Sequence, residues 1–70
     1  MEFPRIRHLR EDSDLTQEQV AKRLCCHREV YRRYETGIRE IPVSYVIELA
    51  KMYNVSVDYI LGQSNRKTRD

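Results

Sequence analysis

The chain has 70 residues, of which 13 are Lys or Arg and 11 are Asp or Glu, so its formal net charge is only +2. This length allows one small domain and is below the usual size of a catalytic domain. Hydrophobic residues make up 40% and charged residues 34%, a mixture typical of a folded domain rather than a disordered chain. No apolar run approaches the roughly 18 residues that a membrane helix needs. Residues 1–10 carry three Arg and lack the apolar region of a signal peptide, so we expect a cytoplasmic protein with no membrane partner.

The predicted elements are helical, because apolar residues recur at three- and four-residue spacing and no strand-like alternation occurs. Pro4 suits the first turn of a first helix, which we expect to run to about Asp12. Ile6 and Leu9 share one face of this segment and are predicted to be buried.

A capping signal marks the start of the second predicted helix. Thr16 is a favourable N-cap, and Gln19 three residues later completes a capping box. Residues at i, i+3, i+4 and i+7 stack on one face of the helix that follows. That face comprises Gln17, Val20, Ala21 and Leu24.

The third predicted helix extends from Arg28 to Thr36 and ends before Gly37, because glycine readily takes the left-handed conformation that follows a helix. Its less polar face comprises Val30, Tyr31 and Tyr34. Its charged face comprises Arg28, Glu29, Arg32, Arg33 and Thr36. Between Lys22 and Arg39, six basic residues stand against two acidic ones, so the positive charge is concentrated around this helix.

Two further helices are predicted in the last part of the chain. Pro42 suits the start of the fourth, whose predicted buried face comprises Val43, Val46, Ile47, Ala50 and Tyr53. Ser56 is expected to cap a short fifth helix that ends before Gly62. The sequence thus predicts an all-α domain of five helices over residues 1–62. Residues 63–70 carry no apolar anchor and are predicted to form a polar, disordered tail.

The charged face of the third helix suits the major groove of duplex DNA. The groove admits one helix, Arg can donate two hydrogen bonds to guanine, and Glu29 could accept one from a cytosine amino group. Thr16 and Gln17 lie at a helix start, where free N–H groups attract a phosphate. Charge alone favours a merely solvated face. The spacing of a capped helix, a short turn and a second helix ending at Gly37 favours DNA binding.

The sequence LTQEQVAKRL at residues 15–24, with YETG at 34–37, resembles the helix-turn-helix of phage-repressor and Cro-like regulators. The sequences IPVSYVIELA at 41–50 and YNVSVDYILG at 53–62 are similar to the last two helices of the same family. The resemblance covers about residues 3–62. It implies a compact, five-helix, lambda-repressor-like domain that binds specific double-stranded DNA through its second and third helices.

The resemblance also implies roles for individual residues. Those expected to contact bases are Arg28, Glu29 and Arg33, with Arg32 beside them on the same face. Those expected to contact phosphates are Thr16, Gln17, Thr36 and Arg39. Arg10 and Glu35 match an ion pair that ties the first helix to the end of the third. Because removing one partner of such a pair leaves an uncompensated charge, its predicted role is structural.

Two positions depart from the family pattern. Cys25 opens the turn between helices two and three, where the family usually has Gly, and a left-handed residue other than Gly costs on the order of 1 kcal/mol. His27 stands where the family tends to cap the third helix with Ser or Thr, and imidazole is a poorer cap.

Cys25 and Cys26 raise the question of a metal or redox site next to His27. Adjacent cysteines on an ordinary backbone point apart, whereas metal sites space their cysteines by two or more residues. We therefore expect no metal and no other cofactor, and Cys26 as a small packed residue. Redox sensing by the two thiols stays open as an alternative.

The predicted function is a transcriptional regulator, expected to act as a repressor, that places the third helix in a palindromic operator. One helix reads only about four or five base pairs, so we expect a homodimer. Candidates for the dimer contact are Tyr53, Val55, Tyr59 and Ile60, which are equally compatible with the core. The alternative is a protein-interaction module, such as an antitoxin or adaptor, on the same fold. No residue pattern indicates an enzyme or a small-molecule substrate.

Overall fold

A computed structural model describes residues 2–67, which form five α-helices and contain no strand. The helices are α1 (Pro4–Asp12), α2 (Gln17–Arg23), α3 (Arg28–Glu35), α4 (Val43–Tyr53) and α5 (Val57–Ile60). α2 packs on α3, α1 contacts both α3 and α5, and α4 packs on α5. The all-α, five-helix prediction is confirmed.

The predicted capping residues are in place. The Thr16 hydroxyl accepts from the N–H of Gln19 at 3.1 Å, and the N–H of Thr16 donates to the Gln19 side chain at 2.8 Å. The Ser56 hydroxyl accepts from the N–H of Tyr59 at 3.0 Å and caps α5. Each cap satisfies N–H groups that a helix start would otherwise leave without a partner. Gly37, at φ +81°, follows the end of α3 as the sequence predicts.

One hydrophobic core joins all five helices. Its buried members are Ile6, Leu9, Val20, Ala21, Leu24, Tyr31, Tyr34, Ile41, Val46, Leu49, Ala50, Val55 and Ile60. The rings of Tyr34 and Tyr45 meet edge to face, with centroids 5.8 Å apart, and connect α3 to α4. Burying one such large side chain stabilises the fold by about 1.5–3 kcal/mol, which makes this core the main source of stability.

The buried face of α4 differs from the sequence prediction at three positions. The sequence predicts that Val43 and Ile47 are buried, yet they are 72% and 41% exposed. Leu49, absent from the predicted face, is fully buried. The helix contacts its neighbours along a stripe through Val46, Leu49 and Ala50, and the apolar residues of the adjacent stripe remain in solvent.

Residues 63–67 lie against the domain, whereas the polar sequence predicts a disordered segment with no anchor. Arg5 of α1 donates through Nη1 to the carbonyl of Ser64 at 2.6 Å and through Nη2 to the side-chain oxygen of Asn65 at 2.8 Å. The anchor is thus a cation from the far end of the chain rather than an apolar residue. The rest of the predicted tail, residues 68–70, lies outside the described residues, and the division of the chain into domain and tail stays a prediction.

Candidate nucleic-acid interface

The two faces of α3 have opposite environments. Tyr31 is fully buried and Tyr34 is 7% exposed, so this face fixes the helix to the domain. The opposite face carries Arg28, Glu29 and Arg33, which are exposed, beside the half-exposed Arg32. The structure therefore brings all the predicted base-contacting residues together on one solvent-facing side of a well-anchored helix. α3 itself ends at Glu35, and Thr36, predicted as its last residue, is the C-cap.

The exposed face contains its own ion pairs. Arg32 donates through Nε to Glu29 Oε2 at 2.9 Å and also through Nη2. Arg33 Nε lies 3.9 Å from the same carboxylate oxygen. The hydrogen bonds from Arg32, followed by its charge and that of Arg33, lower the pKa of the Glu29 carboxyl. The carboxylate thus stays ionised and partly neutralises the arginines beside it.

A second ion pair lies in the interior and holds α1, α2 and α3 together. Arg10 donates through Nε and Nη2 to the two carboxylate oxygens of Glu35, at 2.9 and 3.0 Å. Its Nη1 donates to the carbonyl of Leu15 at 2.8 Å. Gln17 Nε2 adds a hydrogen bond to Glu35 at 3.1 Å. The pair that the family resemblance implies is present, and it fixes the end of α3 relative to the two preceding helices.

The buried Glu35 carboxylate has a pKa below the usual carboxyl value. Burial raises this pKa, but hydrogen bonding led by Arg10 lowers it by more. Burial also raises the pKa of the Tyr31 hydroxyl, and the neighbouring Glu35 raises it further. The whole Tyr31 side chain, including its hydroxyl, lies in the core. Burial likewise raises the pKa of Tyr53 to about 12.

The predicted phosphate-contacting residues already make contacts within the domain. The Gln17 amide is bonded to Glu35, and the exposed Thr36 hydroxyl donates to the carbonyl of Arg32 at 2.9 Å. Thr16 is exposed and serves as the cap of α2. Arg39 is also exposed, and its backbone N–H donates to the carbonyl of Arg33 at 3.1 Å. These residues lie at the start of α2 and around the end of α3, two places that the hydrogen bond between Gln17 and Glu35 brings together.

An open surface groove runs between the start of α2 and the start of α3. The residues that line it include Thr16, Gln17, Lys22 and Arg28. The lining also includes the carboxylate of Glu18, and Arg10 is already paired with Glu35. Lys22 and Arg28 outnumber that one carboxylate, so the groove keeps a small positive charge that suits an extended anion such as a nucleic-acid backbone. Sequence reasoning counts Lys22 among the basic residues around α3 but assigns it no contact with DNA.

The turn between α2 and α3 contains both departures from the family pattern. Cys25 has the left-handed conformation, with φ +60°, at the position where the family has Gly. His27 is the N-cap of α3 and makes no side-chain capping hydrogen bond. Cys25 is exposed and Cys26 half-buried, both thiols are free, and burial raises the pKa of Cys26. The raised pKa makes the Cys26 thiol less reactive than an ordinary cysteine.

No three His, Cys, Asp or Glu side chains among residues 2–67 are grouped as ligands for a metal ion. Over the same residues, no helix is both long and apolar enough to cross a bilayer.

Most of the candidate dimer residues are buried or covered by other residues of the same domain. Val55 and Ile60 are buried in the core, at 2% and 1% exposure. The Tyr59 ring is covered by the Arg5 guanidinium, 4.1 Å from its centroid, and by the Lys67 ammonium at 5.9 Å. Arg5 is a residue whose role sequence reasoning missed, because its partners lie more than 50 positions away and no local pattern connects them.

The capped helix, the short turn and the amphipathic second helix define a helix-turn-helix domain. A comparison with protein-family models agrees: the helix-turn-helix family matches residues 6–60 of the chain. Because this match covers most of the sequence, the chain belongs to the helix-turn-helix family.

Curated relatives are bacterial and phage regulators. The uncharacterised HTH-type transcriptional regulator YobD of Bacillus subtilis is 41% identical over 58 residues, which cover 83% of this chain and 52% of the relative. The HTH-type transcriptional regulator ImmR of the same species is 30% identical over 59 residues, covering 84% and 46%. The cryptic phage CTXphi transcriptional repressor RstR of Vibrio cholerae is 35% identical over 60 residues, covering 86% and 54%.

The chain spans about half the length of these relatives, so the similarity concerns the helix-turn-helix domain. No solved structure matches the chain significantly. The chain is thus similar to the helix-turn-helix domains of proteins that are named as transcriptional regulators.

Proposed function

We propose that this protein is a sequence-specific regulator of transcription, acting as a repressor, that inserts α3 into the major groove of its operator. The observation that carries the proposal is the solvent-facing set of Arg28, Arg32 and Arg33 on a helix whose other side is buried through Tyr31 and Tyr34. Arg is suited to this task because its guanidinium can donate two hydrogen bonds to one guanine. The repressor role is supported by the similarity to RstR, which is named as a transcriptional repressor.

In this proposal the residues divide into two groups. The side chains that contact base edges are Arg28, Glu29, Arg32 and Arg33. The side chains that contact phosphates and set the position of α3 are Thr16, Gln17, Thr36 and Arg39. Base contacts determine specificity, whereas phosphate contacts contribute sequence-independent affinity.

We further propose that the protein binds as a homodimer on a palindromic operator. One α3 reads too few base pairs for a single genomic site, and two copies with half-sites about one helical turn apart would supply enough. In this proposal the protein has no enzymatic activity, needs no small-molecule substrate and acts in the cytoplasm.

The test is a selection of bound duplexes from a random pool, followed by affinity measurements at several salt concentrations. We expect a palindromic consensus, a stoichiometry of two chains per duplex, and an affinity that falls steeply with salt. Arg39→Ala should weaken binding to all sequences alike and reduce the slope of log affinity against log salt by about 1 for each phosphate that Arg39 neutralises. Failure to enrich any duplex would overturn the proposal.

A protein-interaction module, such as an antitoxin or adaptor, is the second candidate function. It is favoured by Ile38, Val43 and Ile47, large apolar residues that are 70%, 72% and 41% exposed. Val43 and Ile47 are four residues apart, so they are neighbours on the surface of α4, and exposed apolar patches can mark a protein contact. Purification with a stoichiometric partner, together with weak and salt-insensitive DNA binding, would support this function over the first.

A further inference from the structure

Glu29 is an unusual residue for a surface that meets a polyanion. It lies on the solvent-facing side of α3 among three arginines, and a carboxylate there repels DNA phosphates. The contacts of Glu29 add too little to the stability of the fold to explain why a carboxylate stands at this position. The side chains of Glu29 and Arg32 are 51% and 43% exposed, and ion pairs of such exposure add little to the folded state.

The geometry of the pair points to a role in orientation. Arg32 Nε lies 3.2 Å from Oε1 and 2.9 Å from Oε2 of Glu29, and Arg32 Nη2 donates to Oε2 as well. The guanidinium is therefore held along its Nε–Nη2 edge. A guanidinium has five N–H donors in one plane, so its Nη1–Nη2 end keeps donors to offer elsewhere. Those donors have the spacing that matches O6 and N7 of guanine.

Holding the side chain in advance has a consequence for recognition. A free arginine has many rotamers, and it loses that freedom when it contacts a base. It can also move to a nearby phosphate on any sequence, which contributes affinity without specificity. A carboxylate three residues earlier on the same helix reduces both effects. It restricts the rotamers of Arg32 before DNA binds, and its negative charge disfavours a phosphate beside Arg32.

We propose that Glu29 is a positioning residue that aligns Arg32 to read guanine at one position of the operator, so that the two side chains determine specificity as a unit. This inference rests on the proposed function and changes one role within it: Glu29 acts on the base through Arg32 instead of contacting a base edge itself. Arg28 and Arg33 contact bases independently in this scheme. Arg33 is the less strongly held neighbour, since its Nε lies 3.9 Å from the Glu29 carboxylate.

The test compares base preference among variants of the full chain. Each of Glu29→Ala, Arg32→Ala and the double variant is measured against the selected operator and against operators changed at one base pair at a time. Base preference is the ratio of the affinity for the selected operator to the affinity for the changed operator. Removing a negative charge raises both affinities by the same factor, so this gain cancels in the ratio. Glu29→Gln, which keeps a hydrogen-bond acceptor without the charge, is the conservative variant, and Arg28→Ala is the control on the same face.

We expect Arg32→Ala to lose guanine preference at one position by on the order of 10- to 100-fold. Glu29→Ala should lose most of that preference at the same position, the double variant should lose no more, and Glu29→Gln should retain part of it. Arg28→Ala should relax a different position. Thermal unfolding should be unchanged in all of them, because none of these side chains is buried.

Two outcomes would overturn the inference and leave the proposed function intact. In the first, Glu29→Ala keeps the guanine preference that Arg32→Ala loses. In the second, it relaxes a separate position, which would make Glu29 an independent reader of its own base. If the unaltered protein enriches no duplex at all, the proposed function itself fails, and that result is distinct from the other two.

Discussion

The domain contains two Arg–Glu ion pairs that differ in burial: one lies in the interior and the other on the surface. In the interior, the side chains of Arg10 and Glu35 are 14% and 3% exposed, and Gln17 and Leu15 complete their hydrogen bonds. On the surface, Glu29 and Arg32 are about half exposed. Water screens the second pair and competes for its hydrogen bonds, whereas the first pair has exchanged water for protein partners.

What an ion pair contributes depends on its surroundings. The interior pair connects α1 to α3 and determines how α3 is presented. The surface pair belongs to the part of α3 that is free to meet a ligand. We therefore expect changes at Arg10 or Glu35 to act on stability and changes on the exposed face to act on DNA binding, with little overlap between the two.

The largest expected effect is on the interior pair. Glu35→Ala leaves the Arg10 guanidinium buried without its carboxylate and should lower the free energy of unfolding by about 3 kcal/mol or more. This is a large share of the stability expected for a domain of this size, roughly 0.05–0.15 kcal/mol per residue. Chemical denaturation is the measurement, and Glu29→Ala is the matched control, with an expected change within about 0.5 kcal/mol.

A double variant keeps this prediction testable if Glu35→Ala does not fold. Replacing both partners, as Arg10→Met with Glu35→Leu, removes the uncompensated charge and should recover most of the stability that Glu35→Ala removes. Equal destabilisation by Glu35→Ala and Glu29→Ala would contradict the distinction between the two pairs.

A smaller effect should appear as a pH dependence. The pKa of Glu35 is lowered in the folded state, relative to about 4.3 in an unfolded chain. The unfolded state therefore binds the proton more readily, and the stability that the carboxylate provides is complete above the unfolded pKa and is lost as the pH falls through the folded one.

The measurement is the difference in unfolding free energy between the unaltered chain and Glu35→Gln, followed from pH 7 to pH 3. We expect the difference to narrow towards acid. The same experiment with Glu29→Gln should give a nearly flat difference, because solvent screens the exposed pair. If that difference changed more steeply with pH for Glu29→Gln than for Glu35→Gln, the surface pair and not the interior pair would contribute more to stability.

On the exposed face, Arg33→Ala should lower operator affinity by about 1–3 kcal/mol and relax specificity at one base pair, if Arg33 contacts a base. The unfolding free energy should stay unchanged, since the side chain is about half exposed. Fluorescence anisotropy at constant salt measures the affinity. If Arg28→Ala, Arg32→Ala and Arg33→Ala all bind the operator as tightly as the unaltered protein, α3 is not the recognition element.

The sequence was sufficient for features that depend on neighbouring residues. Thr16 and Gln19 predicted a helix start, Gly37 a helix end, and the spacing of the residues of α3 its two faces. Each follows from local hydrogen bonding or from the period of a helix. The grouping of the four candidate base-contacting side chains on one face could therefore be predicted before any coordinates.

Features that depend on distant residues were not predictable in the same way. The spacing of apolar residues in α4 allows either of two adjacent stripes to be buried. Contacts with the other helices determine that the buried stripe is the one with Leu49 and not the one with Val43 and Ile47. Arg5 has no sequence pattern connecting it to Ser64. The sequence predicts a phosphate contact for Gln17, but its hydrogen bond to Glu35 depends on how closely α2 approaches the end of α3.

The smallest expected effect concerns the turn before α3. Cys25 adopts φ +60°, where a residue with a Cβ is strained, so Cys25→Gly should raise the free energy of unfolding by about 0.5–1 kcal/mol. Cys25→Ala is the control, because it removes the thiol and keeps the Cβ, and it should change stability little. If the two variants stabilise the domain equally, the thiol and not the backbone conformation is the source of the strain. Operator affinity should be nearly unaffected by Cys25→Gly, because the change relieves strain in the turn while the interior pair of Arg10 and Glu35 still fixes the end of α3.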